Sequence, residues 1–403
     1  MEPPLDATPK ESARADLGAA MDAASGALHT AKLQGDAKDT DSPAAVADGS
    51  QAAHPSTPSL FGLLPPDLEQ RFEACGQSPF RARQLLDWVY RKRQLDPTQM
   101  SNLARPLRQE LENVVSLRLP EPAEVRTSKS GDTLKLASRL ADGSRIESVA
   151  MRSRRGVTLC LSTQVGCAMN CAFCATGLMG LARNLRTEEI VAQVVQLLQL
   201  TEWADPGYNL VFMGMGEPLA NYAAMMRAIR IFNHPQGLGI GARRITVSTV
   251  GLAPRIRQLA DEGLQLGLAL SLHATTDEDR SEIVPINTRY PLSEILPAAS
   301  HYAEKTGRRV TLEYVLLAGK NDRREDARRL SELSRSLPSK INLIPFNPVP
   351  GLTWRRPTSE EVDRFVNWLL PQSPAVTVRW SQGVDVGAAC GQLGARPDTA
   401  SGR

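Results

Sequence analysis

Three cysteines in one short stretch are the residues of this sequence best suited to chemistry. Cys167, Cys171 and Cys174 are spaced C-x3-C-x2-C within GCAMNCAFCATG, and no fourth cysteine lies close by. A [4Fe-4S] cluster that only carries electrons gives each of its four irons a thiolate. Three thiolates would leave one iron open to a small molecule. The spacing therefore predicts a cluster that performs chemistry as well as storing electrons.

Two other interpretations of this loop are a structural zinc site and inert thiols. Structural zinc takes four Cys or His ligands, and none of the five histidines lies nearby in the sequence. Inert thiols seldom occur at three set spacings in a glycine-flanked loop, so the cluster is favoured.

Further candidate residues lie outside the loop. The run GMGEP over 214–218 has glycines, which let backbone approach a ligand closely. Its Glu217 could accept hydrogen bonds from a ligand ammonium group, although the run alone would signal only a turn. Cys160, Cys390 and Cys75 are single cysteines, and taken singly each has the ordinary interpretation of a small apolar residue.

Apolar strands alternate with amphipathic helices from about residue 157, which predicts a parallel sheet with crossover helices. The hydrophobic pattern does not separate an open sheet from a partial barrel. The predicted strands are 157–161, 209–213, 244–249, 266–272, 310–317, 341–346 and 376–380.

The unusual residues follow the ends of these strands. The cysteine loop follows the first strand, GMGEP the second, and Asn347 the sixth, while Ser248 ends the third and Ser271 the fourth. Ligand sites in such folds gather where the carboxyl ends of parallel strands meet. We therefore expect one site at this rim.

The motifs together resemble a known family. The cysteine spacing resembles that of the radical S-adenosylmethionine (SAM) superfamily. The ordered set VTLCLSTQVGCAMNCAFCATG, RNL, GMGEP, STVG, SLHA, PFNP and AACGQL resembles the RlmN/Cfr family of adenine RNA methyltransferases. FRARQLLDWVY is similar to the family's N-terminal helical segment, so the resemblance runs from about residue 60 to 394. One small departure is Leu181, where the family often has Phe.

The resemblance implies a mechanism that uses two SAM molecules per turnover. The first methylates the Cys390 thiolate, and the second is cleaved at the cluster to a deoxyadenosyl radical that removes hydrogen from the S-methyl group. The carbon radical adds to adenine, and Cys160 helps release the product by forming a disulfide with Cys390. Because the two thiols must meet, we expect a partial (β/α)6 barrel of the radical SAM type.

The resemblance also assigns roles by position. Cys167, Cys171 and Cys174 would bind the cluster. Glu147 would be a proton acceptor, although a carboxylate there could equally be a surface group, and Cys160 could itself take the ring proton. The expected SAM contacts are Gly216, Glu217, Ser248, Ser271, Leu272, His273 and Asn347.

The substrate implied by the resemblance is 23S ribosomal RNA, at C2 of an adenine in the peptidyl transferase centre. A tRNA adenine beside the anticodon is expected as a second target, and an external electron donor is required. One alternative is methylation at C8, because both branches of the family share these motifs. A less favoured alternative is an iron–sulfur protein that binds RNA or carries electrons without methyl transfer.

Composition divides the chain. Residues 1–58 carry nine acids and four bases with almost no large apolar residue, which predicts a disordered acidic tail. Its net charge of −5 leaves +8 for the remainder, because the whole chain has +3. A basic body suits RNA, although a surface that merely runs basic is as good an interpretation.

The expected division continues with a helical accessory domain over 59–115, a β-hairpin region over 116–156, the radical SAM core over 157–394 and a flexible tail over 395–403. One basic helix face could bind phosphates or could simply be solvated. Its residues are Arg81, Arg83, Arg91, Lys92 and Arg93.

The sequence shows no secretory signal and no apolar run of about 18 residues. Six cysteines in a long chain without an export signal argue against a disulfide scaffold. We therefore expect a cytoplasmic protein without a membrane span, acting as a monomer.

Overall fold

The computed structural model describes residues 57–395, except 155, 202, 204–206 and 374. The tail expected over 1–58 lies outside the described residues apart from its last two. The tail expected over 395–403 lies outside them apart from its first residue.

Ten of the described strands form one mixed sheet, in the order β1-β2-β3-β4-β7-β8-β9-β10-β11-β12, and β5 and β6 form a separate two-stranded ribbon. The strands are β1 (Glu121–Thr127), β2 (Thr133–Arg139), β3 (Arg145–Ser153), β4 (Gly156–Cys160), β5 (Gln164–Gly166), β6 (Leu181–Asn184), β7 (Tyr208–Phe212), β8 (Ile245–Thr249), β9 (Gly267–Ser271), β10 (Val310–Leu316), β11 (Ser339–Pro345) and β12 (Val376–Val378).

The strand pairing changes from antiparallel to parallel at β4. Strands β1 to β4 pair antiparallel, whereas β4 and β7 to β12 pair parallel throughout. Among the described strands β1 and β12 are edges that do not pair with each other. This open, mostly parallel sheet with helical crossovers confirms the predicted α/β fold.

The helices are α1 (Pro65–Ala74), α2 (Pro79–Leu86), α3 (Arg105–Val114), α4 (Ala175–Leu178), α5 (Thr187–Leu200), α6 (Tyr222–Asn233), α7 (Ala253–Ala260), α8 (Asp277–Ile283), α9 (Leu292–Thr306), α10 (Arg324–Arg335) and α11 (Ser359–Leu369). A π-helix over Asp87–Arg91 continues α2. The short elements β5, β6 and α8 were not anticipated from the sequence, because so few residues show no clear period.

The N-terminal helices share a core with the sheet. Phe72 of α1 and Leu85 of α2 are fully buried, and they belong to one apolar cluster that also contains Leu159 of β4 and Leu312 of β10. The fully buried Leu60 and Phe61 precede α1 and belong to the same cluster. The three accessory helices are therefore packed as part of the same body as the sheet.

None of the described helices is long and apolar enough to cross a lipid bilayer.

Candidate active site

The cysteine loop lies between β5 and α4 and is held by contacts with other segments of the chain. Gly166 has φ +76°, and a Cβ there would lie 1.9 Å from the Gly180 carbonyl oxygen, so only glycine fits. Ala172 donates its N–H to Ile283 O at 2.9 Å, and the Trp354 indole donates to Ala172 O at 2.8 Å. The loop is thereby anchored at Gly166, just before Cys167, and at Ala172, between Cys171 and Cys174.

All three cysteines of the loop line one open cavity, whose empty volume is about 780 Å3. The same wall contains Phe173, Glu217, Ser248, Ser271 and His273. Residues that the sequence places after separate strands therefore surround one space, as the rule for parallel sheets predicts.

The donor set fits a cluster better than a single ion. Zinc thiolates lie about 2.3 Å from the metal, which requires sulfurs within about 4 Å of one another. In the described part of the chain no three Cys, His, Asp or Glu side chains converge closely enough to hold one ion. A cluster binds each thiolate at a different corner, so it accepts sulfurs spread more widely around a cavity.

Burial shapes the chemistry of these thiols. Burial raises the pKa of Cys167 to about 12 and that of Cys171 well above its usual value. A buried thiolate therefore needs a positive partner, and the irons of a cluster would supply one.

The GMGEP run lies between β7 and α6, and four of its five residues line the cavity. Gly216 has φ +101°, and a Cβ there would lie 2.5 Å from Cβ of Gln164. Glu217 is buried, and its carboxylate accepts N–H groups of Leu219 at 3.0 Å and Val250 at 2.9 Å. Burial raises the Glu217 pKa to about 7. Its remaining lone pairs can accept from a ligand ammonium group.

His273 is a neutral, oriented imidazole. Its Nδ1 accepts the Val315 N–H at 3.1 Å, so Nε2 carries the proton. Burial first, then the nearby Arg280, lowers the His273 pKa to about 3. The ring meets Phe173 edge-on at 4.6 Å. Leu272 beside it is fully buried and lies outside the cavity wall.

Asn347 reaches the site through the segment that carries Cys390. Its Nδ2 donates to Cys390 O at 3.0 Å and to Ser381 Oγ at 2.9 Å, while its Oδ1 accepts from Arg356 at 3.1 Å. It does not line the cavity. The contacts of Asn347 position Cys390, and a direct contact with SAM stays a prediction.

Cys160 and Cys390, far apart in the sequence, lie near enough for their sulfurs to interact electrostatically. Cys390 lines the cavity beside Gly391, whose carbonyl accepts the Ala175 N–H at 2.8 Å. Cys160, at the end of β4, is buried and does not line the cavity. The pKa of Cys160 is raised to about 12, first by burial and then by the nearby Cys390 sulfur, while Arg379 acts in the opposite direction. All six cysteines are free thiols.

Glu147 is not an ordinary surface carboxylate. Its side chain is 16% exposed, lies 2.9 Å from Lys135 Nζ and accepts the Gly394 N–H at 2.8 Å. Like Cys160 and Asn347, it stands outside the cavity wall.

Two arginines that the motifs did not single out support the site. Arg379 is the first residue after β12, and its positive charge acts on Cys160, Cys390 and Glu313. Arg280 of α8 is fully buried and donates to the carbonyls of Ser271 and Leu272. Period and spacing do not reveal such residues, since a buried arginine looks like a surface arginine in sequence.

The basic face of α2 and the π-helix is largely engaged within the chain. Arg83 pairs with Glu69, Arg91 and Arg93 donate to backbone carbonyls, and Lys92 lies over the Trp88 ring. Phosphate binding by this basic face stays a prediction.

The chain resembles proteins of known class along most of its length. The profile of the radical SAM superfamily matches residues 161–330, and the profile described as the ribosomal RNA large subunit methyltransferase N-terminal domain matches residues 59–117. A probable dual-specificity RNA methyltransferase RlmN 3 from Opitutus terrae is 46% identical over 355 residues, which cover 84% of this chain and 95% of that protein. The chain belongs to the RlmN family.

Other relatives agree with this membership. A probable dual-specificity RNA methyltransferase RlmN from Moorella thermoacetica is 47% identical and covers 83% of this chain and 96% of its own. The crystal structure of a radical SAM methyltransferase from Sphaerobacter thermophilus superposes with a TM-score of 0.80 at 45% identity, covering 83% of this chain and 99% of that one. As a member of the RlmN family, the protein is an RNA methyltransferase of the radical SAM class, which uses SAM and an iron–sulfur cluster.

Proposed function

We propose that this protein methylates C2 of adenine in 23S ribosomal RNA, at the peptidyl transferase centre, and in tRNA beside the anticodon. The observation that carries the proposal is the position of Cys390 in the wall of the cavity that also contains Cys167, Cys171 and Cys174. A thiol so placed can accept a methyl group from SAM bound at the cluster.

The chain's own residues prepare this first transfer. Cys390 is half-buried and faces the cavity, as a nucleophile must. The guanidinium of Arg379 is close enough to interact electrostatically with the Cys390 sulfur. Asn347 donates to the Cys390 carbonyl, which fixes the backbone that carries the thiol.

The cavity wall offers polar groups for SAM. When bound, a [4Fe-4S] cluster supplies one electron to cleave SAM, and two SAM molecules per turnover supply the methyl group and the hydrogen-abstracting fragment. Glu217 would accept the ammonium group of SAM, and Ser248 and Ser271 would bind its hydroxyl groups. His273, with its proton on Nε2, can donate one hydrogen bond to the ligand.

Cys160 would complete the turnover by attacking the Cys390 sulfur. The two thiols give up two electrons and two protons as the disulfide forms, and one SAM takes up two electrons and one proton in becoming methionine and 5′-deoxyadenosine. A dithiol reductant then restores both thiols. Either Glu147 or Cys160 would take the ring proton.

The protein would act as a monomer in the cytoplasm, where both RNAs are met, and would take single electrons from an external donor. The target base must leave its stack to reach Cys390.

The decisive assay is anaerobic turnover of the reconstituted protein with a 23S RNA fragment and with tRNA, using mass spectrometry that resolves 2-methyladenosine from 8-methyladenosine. We expect the 2-isomer on both RNAs, no product from Cys390→Ala, and unchanged product from Cys75→Ala, since Cys75 is exposed and lies outside the cavity wall. The 8-isomer would assign the C8 reaction instead. Full activity of Cys390→Ala would rule out a methyl-cysteine intermediate at this residue.

A further inference from the structure

The segment that carries Cys390 is tied at both ends to the β2–β3 hairpin by one ion pair. Lys135 Nζ lies 2.9 Å from Glu147 Oε1 and donates to the Gly387 carbonyl at 3.1 Å. Glu147 Oε2 accepts the Gly394 N–H at 2.8 Å. The two side chains are only 8% and 16% exposed, so water competes little for these contacts.

The segment has little stiffness of its own. Gly387, Gly391 and Gly394 all have positive φ, at 65°, 85° and 82°, and no helix or strand follows Gly387 in the described chain. Glycine-rich backbone loses much conformational entropy on ordering. Its position must therefore be set by contacts with other elements.

Besides the contacts with Asn347 and Pro348, which follow β11, the segment is held from two sides. On the side of the cysteine loop, Ala175 donates to Gly391 O at 2.8 Å and Thr176 Oγ1 donates to Leu393 O at 2.6 Å. On the other side stand Lys135 and Glu147. Loss of one set leaves the other in place.

The ion pair and Cys160 share one face of the sheet. Lys135 pairs with Val149 across β2 and β3, and Val149 pairs with Cys160 across β3 and β4. Directly opposed residues point to the same face. Two strand spacings separate Lys135 from Cys160, or about 10 Å.

We propose that Lys135, paired with Glu147, is a positioning residue that holds Cys390 against the sheet face carrying Cys160, and so sets the rate of product release. This rests on the proposed function. Before product release, the covalent adduct in which a methylene group joins Cys390 to the RNA has lost the ring proton and has returned one electron to the electron carrier. The Cys160 thiolate attacks the Cys390 sulfur, an S–S bond forms, and the S–C bond breaks. The electron pair of that S–C bond goes to carbon, which takes a proton and becomes the methyl group.

The test compares Lys135→Met with Lys135→Arg, because either change leaves the Glu147 carboxylate in place. Arg139→Met is the matched control, since Arg139 is on the same strand and its ion pair with Glu121 is exposed. Each holoenzyme is assayed for iron content, for methyl on Cys390 by intact mass, for methyladenosine and for covalent protein–RNA species. A separate sample without SAM or RNA is treated with glutathione disulfide, and formation of the Cys160–Cys390 disulfide is followed by peptide mass.

For Lys135→Met we expect turnover and disulfide formation to slow about tenfold, as loss of a charge-assisted contact implies. Protein–RNA adduct should accumulate, while Cys390 methylation stays within about twofold, because the contacts to the cysteine loop remain. Arginine should restore most of the rate, and Arg139→Met should match the parent protein.

Equal loss of Cys390 methylation and turnover, or no change in disulfide formation, would overturn the positioning role. A parent protein that makes no methyladenosine would instead refute the proposed function, and the disulfide experiment, which needs neither SAM nor RNA, would still decide on Lys135.

Discussion

Gly216 shows how one residue shapes the wall that faces the ligand. Its φ of +101° is a conformation that residues with a Cβ rarely adopt, and the space for a Cβ is already filled by the Gln164 side chain and backbone. Gln164 in turn accepts the Glu217 N–H at 2.8 Å. Glycine at position 216 therefore allows the backbone conformation that places Glu217 in the cavity wall.

We predict that Gly216→Ala lowers the free energy of unfolding by about 3 kcal/mol, because backbone strain and a steric clash add. Gly263→Ala is the control: φ there is +69°, but nothing lies within 4 Å of the added Cβ, so strain alone should cost about 1 kcal/mol. Urea unfolding of the two variants measures the difference. Equal costs would show that Gln164 moves aside.

At the scale of elements, α8 joins the ends of two parallel strands through Arg280. The guanidinium donates to Val250 O after β8, to Ser271 O at the end of β9, and to Asn287 Oδ1 at 2.7 Å. Burial lowers the Arg280 pKa to about 10, and the group remains charged at neutral pH. The guanidinium thereby bridges the carboxyl ends of the two neighbouring strands that carry Ser248 and Ser271.

Arg280→Met should lower the free energy of unfolding by about 3 kcal/mol, because several buried acceptors lose their donor. It should also weaken SAM binding by displacing the strand ends. Arg289→Met, an exposed arginine nearby, should change stability by less than about 0.5 kcal/mol. The measurements are urea unfolding and equilibrium SAM binding. A stable Arg280→Met protein with full SAM affinity would contradict this account.

At the scale of the whole molecule, the chain after β12 returns to the opposite edge of the sheet, where β1 and β2 lie. Lys129 donates its N–H to Asp385 at 2.9 Å, and Lys135 binds Gly387 O. The two edges of the open sheet, which do not pair directly, are thus bridged by this returning segment. That return carries Cys390 to the cysteine loop more than two hundred residues earlier.

This arrangement predicts that cluster binding and methyl transfer can be separated. Substitution of Cys167, Cys171 or Cys174 by alanine should abolish iron binding, whereas Cys160→Ala and Cys390→Ala should keep about four irons per chain and lose turnover. Iron and sulfide analysis of anaerobically purified variants measures this. Loss of iron from Cys390→Ala would make it a cluster ligand instead of a methyl carrier.

Much of this organisation follows from local pattern. Apolar strands that alternate with amphipathic helices predicted the parallel sheet, and the position of the cysteine loop after the first strand predicted that it faces the rim. Glu217, Ser248, Ser271 and His273 were expected at that rim and line the cavity. These predictions hold because residues that follow parallel strands must meet at one edge.

Contacts between residues far apart in the sequence could not be predicted from local pattern. That Asn347 binds the Cys390 carbonyl, that Glu147 pairs with Lys135, and that Arg280 is buried all depend on how the sheet curls and where the C-terminal segment returns. The order of residues dictates which elements form, because short-range sterics and hydrophobic period act within a few residues. Which side chains then meet is set by close packing of the complete chain, where each contact depends on all the others.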